Sequence, residues 1–171
     1  MHNKEENQRQ PRQKTPEQAL LSLCATCSKM ERCVSDARRS LYRWEIAPTE
    51  QANIIEKLID EGFIDERRYA ATYVRTKVSG GRWGINKIIS VLRAKQISED
   101  IIRESMANNA DKGSLFRRLE EQLVRKAEKE RPKAKNGYDL RVRLFRFAAS
   151  RGFMSNEIND ILNKILKDDA I

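Results

Sequence analysis

Phe63-Ile64-Asp65-Glu66-Arg67-Arg68-Tyr69-Ala70-Ala71-Thr72-Tyr73-Val74-Arg75 is the stretch that decides the fold. Asp65 is positioned to cap the start of a helix, and apolar or aromatic side chains then recur on one face at positions 69, 70, 73 and 74. After Gly80-Gly81 a second helix is predicted from Gly84 to Lys95, and its apolar stripe is Ile85, Ile88, Ile89 and Leu92. The stretch therefore predicts two amphipathic helices joined by a glycine turn.

Charge of a single sign covers most of the same stretch. Residues 67–95 contain no Asp or Glu and eight cations, which are Arg67, Arg68, Arg75, Lys77, Arg82, Lys87, Arg93 and Lys95. Directly before them, residues 45–66 hold seven acids and one cation, and later in the chain residues 112–151 hold thirteen cations and five acids. A solubilising face normally mixes the two signs, so this pattern favours a polyanion or an acidic protein as a partner.

The composition of the 171 residues favours helices. Aromatic residues make up 6% of the chain and charged residues 35%, with only seven glycines and four prolines. No window is apolar enough for a membrane span, and the N-terminus lacks the apolar core of a signal peptide. Three cysteines within one short segment suit a reducing compartment. We therefore expect a cytoplasmic protein that does not enter a membrane.

The first part of the chain predicts a disordered arm followed by three helices. Residues 1–14 are polar and weakly basic, without apolar periodicity. Thr15-Pro16-Glu17-Gln18 then has the composition of a capping box, and a second helix is predicted from Ser35. A third helix is predicted from Pro48, with Gly62 as its C-terminal stop. Residues 15–64 thus predict one three-helix unit.

Two further trios follow, in residues 65–110 and 111–168. The last trio is predicted to begin with a helix from about Ser114, and its final helix starts at Ser155. When the chain is shifted by 56 residues, the apolar positions Ile88, Leu92 and Ile97 fall on Leu144, Ala148 and Phe153, and a shift of 51 aligns the first trio with the second. We therefore predict an all-α protein, an elongated array of three tandem three-helix repeats.

The cysteines and the single histidine are the candidate metal ligands. Cys24-x-x-Cys27 resembles half of a zinc site, which Cys33 and the distant His2 would have to complete. The pair lies within a helical pattern, however, and free cysteines commonly behave as small buried apolar residues. The second interpretation is favoured, and we expect neither a metal site nor a cofactor.

No enzymatic constellation stands out in the sequence. A Ser/His or Cys/His pair would have to use His2, and the acids of residues 45–66 are interpreted as solvated charges on helix surfaces. Gly80-Gly81-Arg82-Trp83-Gly84 could suggest a phosphate-binding loop, but it follows a predicted helix where that motif requires a strand. It is interpreted as a turn between helices, and we expect no catalytic residues.

The aromatic residues around this turn have two interpretations each. Tyr69 and Tyr73 lie four residues apart, a spacing that favours core packing over a platform for stacking bases. Trp83 lies in a glycine turn flanked by cations, so that packing and contact with a partner are equally compatible with its position.

These motifs resemble the central motif of the RecX family, the bacterial regulators of the RecA recombinase. The resemblance is carried by Phe63-Ile64-Asp65-Glu66, the Tyr69-Ala70 and Tyr73-Val74 pairs, the Gly-aromatic-Gly turn and the pattern Lys87-Ile88, Leu92 and Lys95. At pattern level it extends over residues 15–167, since the family is built from tandem three-helix repeats. Gln96 occupies a position where the family pattern has glycine, whereas Gly152 keeps the glycine in the third repeat.

The resemblance implies a non-enzymatic, mainly inhibitory protein that binds the RecA nucleoprotein filament and modulates recombination, DNA repair and the SOS response. The structural positions of the motif are Asp65, Tyr69, Tyr73, Gly84 and Leu92. The residues expected to contact RecA, or single- or double-stranded DNA, are Arg75, Lys77, Arg82, Trp83, Lys87, Arg93, Lys95, Arg141, Arg143 and Arg146. We expect a monomer without a cofactor.

Two other classes of function stay open from the sequence. The basic segments alone are compatible with a free-standing DNA-binding module that does not discriminate between sequences, whose affinity would fall steeply with salt. An enzyme is the weaker alternative, and it would need nuclease or ATPase activity that persists when the cations are substituted.

Overall fold

A computed structural model describes residues 13–167, except for the side chain of Lys167. His2 and most of the predicted arm of residues 1–14 lie outside the described residues. Between residues 13 and 167 every regular element is a helix, which confirms the all-α prediction. The elements are α1 Pro16–Cys27, α2 Val34–Arg43, α3 Pro48–Asp60, α4 Glu66–Gly80, α5 Ile85–Ala94, α6 Glu99–Asn109, α7 Lys112–Glu130, a short 3-10 helix Arg131–Lys133, α8 Gly137–Ala149 and α9 Ser155–Lys167.

Polar caps set several of the helix starts. At α1 the Gln18 N–H donates to Thr15 Oγ1 over 3.3 Å, and the Gln18 side chain accepts from the Thr15 N–H over 3.2 Å, which is the predicted capping box. Helix α7 begins at Lys112, two residues before the predicted Ser114, because the Asp111 carboxylate accepts the Ser114 N–H over 3.2 Å. Helix α2 begins one residue before the predicted Ser35.

Lys14, the last residue of the predicted arm, has defined contacts. Its ammonium lies 3.9 Å from the centre of the Trp44 ring and donates to Ser22 Oγ over 2.7 Å. Its N–H donates to the Trp44 carbonyl over 3.4 Å. The contacts around α1 therefore include the residue before the Thr15 cap.

The chain divides into two compact units, one ending at Tyr69 and the other beginning at Ala70. The first unit has a core contributed by the apolar stripes of α1, α2 and α3 and by the residues just after α2 and α3: Ala19, Leu23, Ala37, Leu41, Ile46, Ile54, Ile55, Leu58 and Ile64. In the second unit a core cluster joins α7, α8 and α9: Leu119, Leu123, Ala127, Leu140, Leu144, Ala148, Phe153, Ile158, Ile161 and Leu162. Ile88 and Leu92 of α5 are also fully buried.

The C-terminal ends of α2, α5 and α8 share one backbone conformation. Each is followed by a residue with positive φ: Glu45 at 57°, Gln96 at 62° and Gly152 at 81°. In each case the next residue is apolar and buried, and its N–H donates to the carbonyl five residues earlier: Ile46 to Leu41, Ile97 to Leu92 and Phe153 to Ala148. The three positions are separated by the 51 and 56 residues found in the sequence. This recurrence supports our proposal that the three trios are repeats.

Replacing Gln96 by glycine is expected to stabilise the protein. An L-residue with a left-handed backbone costs about 1–2 kcal/mol, and the extra freedom of glycine in the unfolded chain cancels part of the gain. The expected net increase in the free energy of unfolding is about 0.5–1 kcal/mol, measured by urea denaturation. Ala94→Gly, inside the last turn of α5, is the matched control and should lower stability by up to about 1 kcal/mol. A loss of stability in Gln96→Gly would contradict the prediction.

Candidate functional site

Three of the predicted contact residues form one cluster with Tyr73. The ammonium of Lys77 lies 4.6 Å from the centre of the Trp83 ring, and that of Lys87 lies 4.9 Å from it. Tyr73 meets Trp83 edge to face, with the ring centres 6.4 Å apart, and Lys77 also lies 5.3 Å from the Tyr73 ring. Trp83 is half-buried. Its indole thus packs within the protein and supports two cations at the same time.

The glycine turn before Trp83 is held by α7. The Arg118 guanidinium donates to the Ser79 carbonyl, and Gln122 Nε2 donates to the Gly81 carbonyl over 2.6 Å. Gly81 has φ +63°, and a Cβ there would lie 2.4 Å from Arg118 Cδ. The turn therefore needs glycine both for its backbone conformation and for the close approach of α7.

This attachment forms an open cleft of about 370 Å³ between the turn and α7. Its walls are Gly80, Arg82, Arg118, Glu121, Gln122, Arg125, Lys126, Lys129 and Phe147. Five of these residues are cations and one is a carboxylate. The sequence interpretation singled out Arg82 but none of the four cations from α7. These four cations are separated by seven, one and three positions, a spacing that puts them on one face of a helix. That spacing is the signal in the sequence from which they could have been predicted.

A second close approach joins the start of α5 to the end of α8. The Gly84 N–H donates to the Arg151 carbonyl over 2.8 Å, and the Asn86 N–H donates to the Gly152 carbonyl over 3.2 Å. A Cβ on Gly84 would lie 2.4 Å from the Gly152 carbonyl oxygen, and a Cβ on Gly152 would lie 2.5 Å from the Lys87 backbone nitrogen. Gly84, a structural position of the motif, is therefore required by this backbone contact.

The other structural positions of the motif shape α4 and α5. The Arg68 N–H donates to the Asp65 carboxylate over 3.0 Å, so Asp65 caps α4 as the sequence predicts. Tyr69 and Leu92 are buried, whereas Tyr73 is half-buried against Trp83. Burial raises the pKa of the Tyr69 phenol above its usual value, because the charged phenolate would lose its hydration there.

Several predicted contact cations have partners within the protein. Arg93 forms a bidentate salt bridge with Glu99, with donor–acceptor distances of 2.6 and 3.0 Å. Arg141 donates to Asn159 Oδ1 over 3.0 Å. Arg143 pairs with Asp139 and with Glu130, each over 3.2 Å. Arg75, which donates to Thr72 Oγ1 over 3.3 Å, is exposed, as are Arg82 and Arg146, and Lys95 is half-buried. Fewer cations are therefore available to a partner than the number of Lys and Arg residues in the sequence indicates.

The ion pairs of Arg143 lower the pKa of both of its partners. Hydrogen bonds from Lys126 and then Arg143 hold the pKa of Glu130 below its usual value. For Asp139, the Lys135 N–H lowers the pKa most, followed by Arg143. Both carboxyls have a lower pKa in the folded chain than in the unfolded chain. Their contribution to the stability of the fold is therefore complete above the pKa values of the unfolded chain. It is lost as the pH falls through the pKa values of the folded chain.

Acidification is therefore expected to destabilise the wild-type protein more than a Glu130→Gln variant. The difference should develop below about pH 5, where unperturbed carboxyls of the unfolded chain begin to take up protons. Thermal unfolding between neutral pH and pH 3 measures it, and Glu128→Gln on the exposed face of α7 is the control. Equal acid sensitivity of the wild type and Glu130→Gln would show that the Glu130 pairs do not contribute.

Two of the seven acids before the basic run, Glu50 and Glu66, are half-buried, which differs from the sequence interpretation of solvated charges. Glu66 at the start of α4 is half-buried rather than fully solvated. Burial raises the pKa of its carboxyl, and the charge of Arg38 opposes that rise. Glu66 therefore belongs to the interior contacts of the first unit, while Glu45, Glu56, Asp60, Glu61 and Asp65 are exposed.

The three cysteines are free thiols. Cys33 is buried at the start of α2, and Cys24 and Cys27 are partly buried on α1. Burial raises the pKa of both Cys24 and Cys27. Within residues 13–167, no group of three or more His, Cys, Asp or Glu side chains is arranged to hold a metal ion. In the same part of the chain, no helix has the length and apolar character that crossing a membrane requires.

Sequence comparisons connect the chain to regulatory proteins. Residues 65–106 match the family model described as RecX, second three-helix domain. The chain is 31% identical over 128 residues to the regulatory protein RecX of Chromohalobacter salexigens, which covers 68% of this chain and 78% of that protein. It is 31% identical over 122 residues to the regulatory protein RecX of Clostridium tetani, covering 68% of this chain. The matched part spans about half, 53%, of the Clostridium protein.

Solved structures share the fold. A crystal structure of a regulatory protein RecX superposes with a TM-score of 0.74 at 21% identity, covering 90% of this chain and 73% of that one. The crystal structure of RecX from Lactobacillus salivarius gives a TM-score of 0.65 at 23% identity, covering 91% of this chain and 97% of that one. At these identities the likeness establishes the all-α fold.

Proposed function

The chain belongs to the RecX family, and on that premise we propose that it binds RecA nucleoprotein filaments and restrains their activity in recombination, DNA repair and the SOS response. Family membership is the observation that carries this proposal. The relatives are named regulatory proteins, which fits a role without catalysis. Because RecA acts on chromosomal DNA, we place the protein in the cytoplasm, and we propose that it acts as a monomer.

The basic surface of the second repeat supports the proposal in physical terms. Exposed Arg75 and Arg82 flank the Lys77, Trp83 and Lys87 cluster, and no acid interrupts the chain between residues 67 and 95. A nucleoprotein filament offers phosphates and carboxylates along its length, so many weak contacts can form together. Each exposed ion pair contributes only about 1 kcal/mol or less, and binding strength then depends on their number.

The test is the effect of the protein on RecA itself. We expect RecA ATPase activity on single-stranded DNA and RecA-catalysed strand exchange both to fall as the full chain is added. The control is DNA-free RecA mixed with the same chain. Unchanged ATPase and strand exchange at concentrations well above that of RecA would reject the proposal.

The cation-lined cleft also favours a second candidate, a free-standing DNA-binding module without sequence preference. In that case the chain would bind DNA with similar affinity in the absence of RecA and would leave strand exchange unaffected once DNA is in excess. Titrations at several salt concentrations should then show a steep loss of affinity, because phosphate contacts release counterions. An affinity for DNA that does not change with salt concentration would exclude this candidate.

A further inference from the structure

We infer that the cleft between the glycine turn and α7 is a phosphoryl-binding site, which takes either a nucleic-acid backbone or the polyphosphate of a nucleotide. The inference deepens the proposed function, because it names the ligand chemistry of one part of the basic surface. It rests on Arg118, Arg125, Lys126 and Lys129 of α7, together with Arg82 of the turn. None of the four α7 cations belongs to the contact residues predicted from the sequence.

The cleft has an excess of positive charge. Its single carboxylate, Glu121, already accepts from Arg125 over 3.4 Å, one helical turn away. Arg118 donates to a neutral partner, the Ser79 carbonyl, which orients its guanidinium and leaves its charge uncompensated. Cations gathered in a concave surface raise the local potential above that of scattered surface charges. An anion entering the cleft is therefore favoured.

The walls are also held in place before any ligand binds. Gln122 donates to the Gly81 carbonyl over 2.6 Å, so the backbone next to Arg82 is tied to α7. Lys126 pairs with Glu130 over 2.9 Å and lies 5.5 Å from the Phe147 ring. Less side-chain and loop freedom is then lost on binding, which strengthens the interaction.

The aromatic wall favours recognition of phosphate over recognition of bases. The Arg151 guanidinium lies 3.5 Å from the centre of the Phe147 ring, and Lys126 approaches the same ring. A ring already covered by a guanidinium offers less surface for stacking a base, and contacts to phosphate carry no sequence information. The cleft should therefore bind different base sequences equally.

The experiment removes two charges without disturbing the turn. In Arg125→Gln/Lys129→Gln both substitutions lie on one exposed face of α7, four residues apart, and Arg118, Gln122 and Lys126 stay in place. The probes are inorganic tripolyphosphate and a short oligothymidylate, each titrated into the full chain without recombinase at several salt concentrations. We expect the affinity to fall about tenfold or more at low salt and the salt slope for the single-stranded oligonucleotide to decrease by about 1.4, which is about 0.7 for each of the two charges.

Two matched variants separate charge from structure. Arg125→Lys/Lys129→Arg keeps both charges and should bind as the wild type does. Glu121→Gln removes the carboxylate and should tighten binding of either probe a few-fold. Circular dichroism and thermal unfolding of each variant confirm that α7 remains folded.

Each result decides the inference. Binding of both probes through the cleft supports a site for phosphoryl groups in general, and binding of the oligonucleotide alone supports a nucleic-acid backbone as the source. The inference is overturned if neither probe binds the wild type, or if Arg125→Gln/Lys129→Gln binds both as well as the wild type does. Because recombinase is absent, a cleft that binds phosphate in a chain that fails to inhibit RecA would reject the proposed function and leave the inference standing.

Discussion

Gly152→Ala is expected to lower the free energy of unfolding by about 2–5 kcal/mol. Two costs combine in this estimate. The left-handed backbone at φ +81° costs about 1–2 kcal/mol for an L-residue. The new Cβ would also lie 2.5 Å from the Lys87 backbone nitrogen, and overpacking against backbone costs about 1–3 kcal/mol. Urea denaturation followed by circular dichroism measures the sum.

Gly62→Ala is the matched control for this prediction. Gly62 has φ +72° at the end of α3, but a Cβ there would meet no atom within 4 Å. The Gly62→Ala variant should therefore lose only about 1–2 kcal/mol of unfolding free energy, which is what a left-handed backbone costs an L-residue. Gly84→Ala tests the same contact from the opposite side, since its Cβ would lie 2.4 Å from the Gly152 carbonyl oxygen. If Gly152→Ala cost no more than Gly62→Ala, the two turns would not be in close contact.

Reversing Arg75, Arg82 and Lys95 to Glu is expected to abolish inhibition of the RecA filament while the chain stays folded. Arg75 and Arg82 are exposed, and Lys95 lies just beyond the end of α5. Each lost contact removes about 1 kcal/mol or less, and reversal adds repulsion. Together the three changes should raise the concentration for half-inhibition by more than about 100-fold, which corresponds to about 3 kcal/mol.

Lys87 is left out of this variant because of its position in the fold. Its ammonium lies over Trp83 and its backbone abuts Gly152, so a substitution there would change packing as well as charge. The matched control reverses Lys29, Arg39 and Arg43, three exposed cations of the first unit. This control should inhibit RecA as the wild type does.

The outcome of the triple reversal identifies the contact surface. A folded triple variant that still inhibits at wild-type concentrations would show that the basic surface of residues 67–95 does not make the contact. The cations of residues 112–151 would then become the better candidate.

The sequence by itself determined the all-α fold and the positions of the helices. Helical periodicity and capping are local, so Thr15 and Asp65 could be assigned as caps from their neighbours alone. The offsets of 51 and 56 residues predicted three repeated trios, and the positive-φ residues Glu45, Gln96 and Gly152 are separated by the same offsets. The offsets did not indicate that Gln96 takes the left-handed conformation of Gly152, because a side chain normally disfavours it.

Only the tertiary structure shows which cations are paired with carboxylates and which glycines lie at close contacts between helices. Gly84 and Gly152 are 68 positions apart, and Arg82 and Arg125, which line the same cleft, are 43 positions apart, so no local pattern reports that they lie close together. Likewise, the count of cations does not reveal that Arg93 and Arg143 are paired with carboxylates. Helices form from interactions three to four residues apart, whereas the cleft and the glycine contact depend on how separate helices pack, and that packing is settled only when their apolar stripes are buried together.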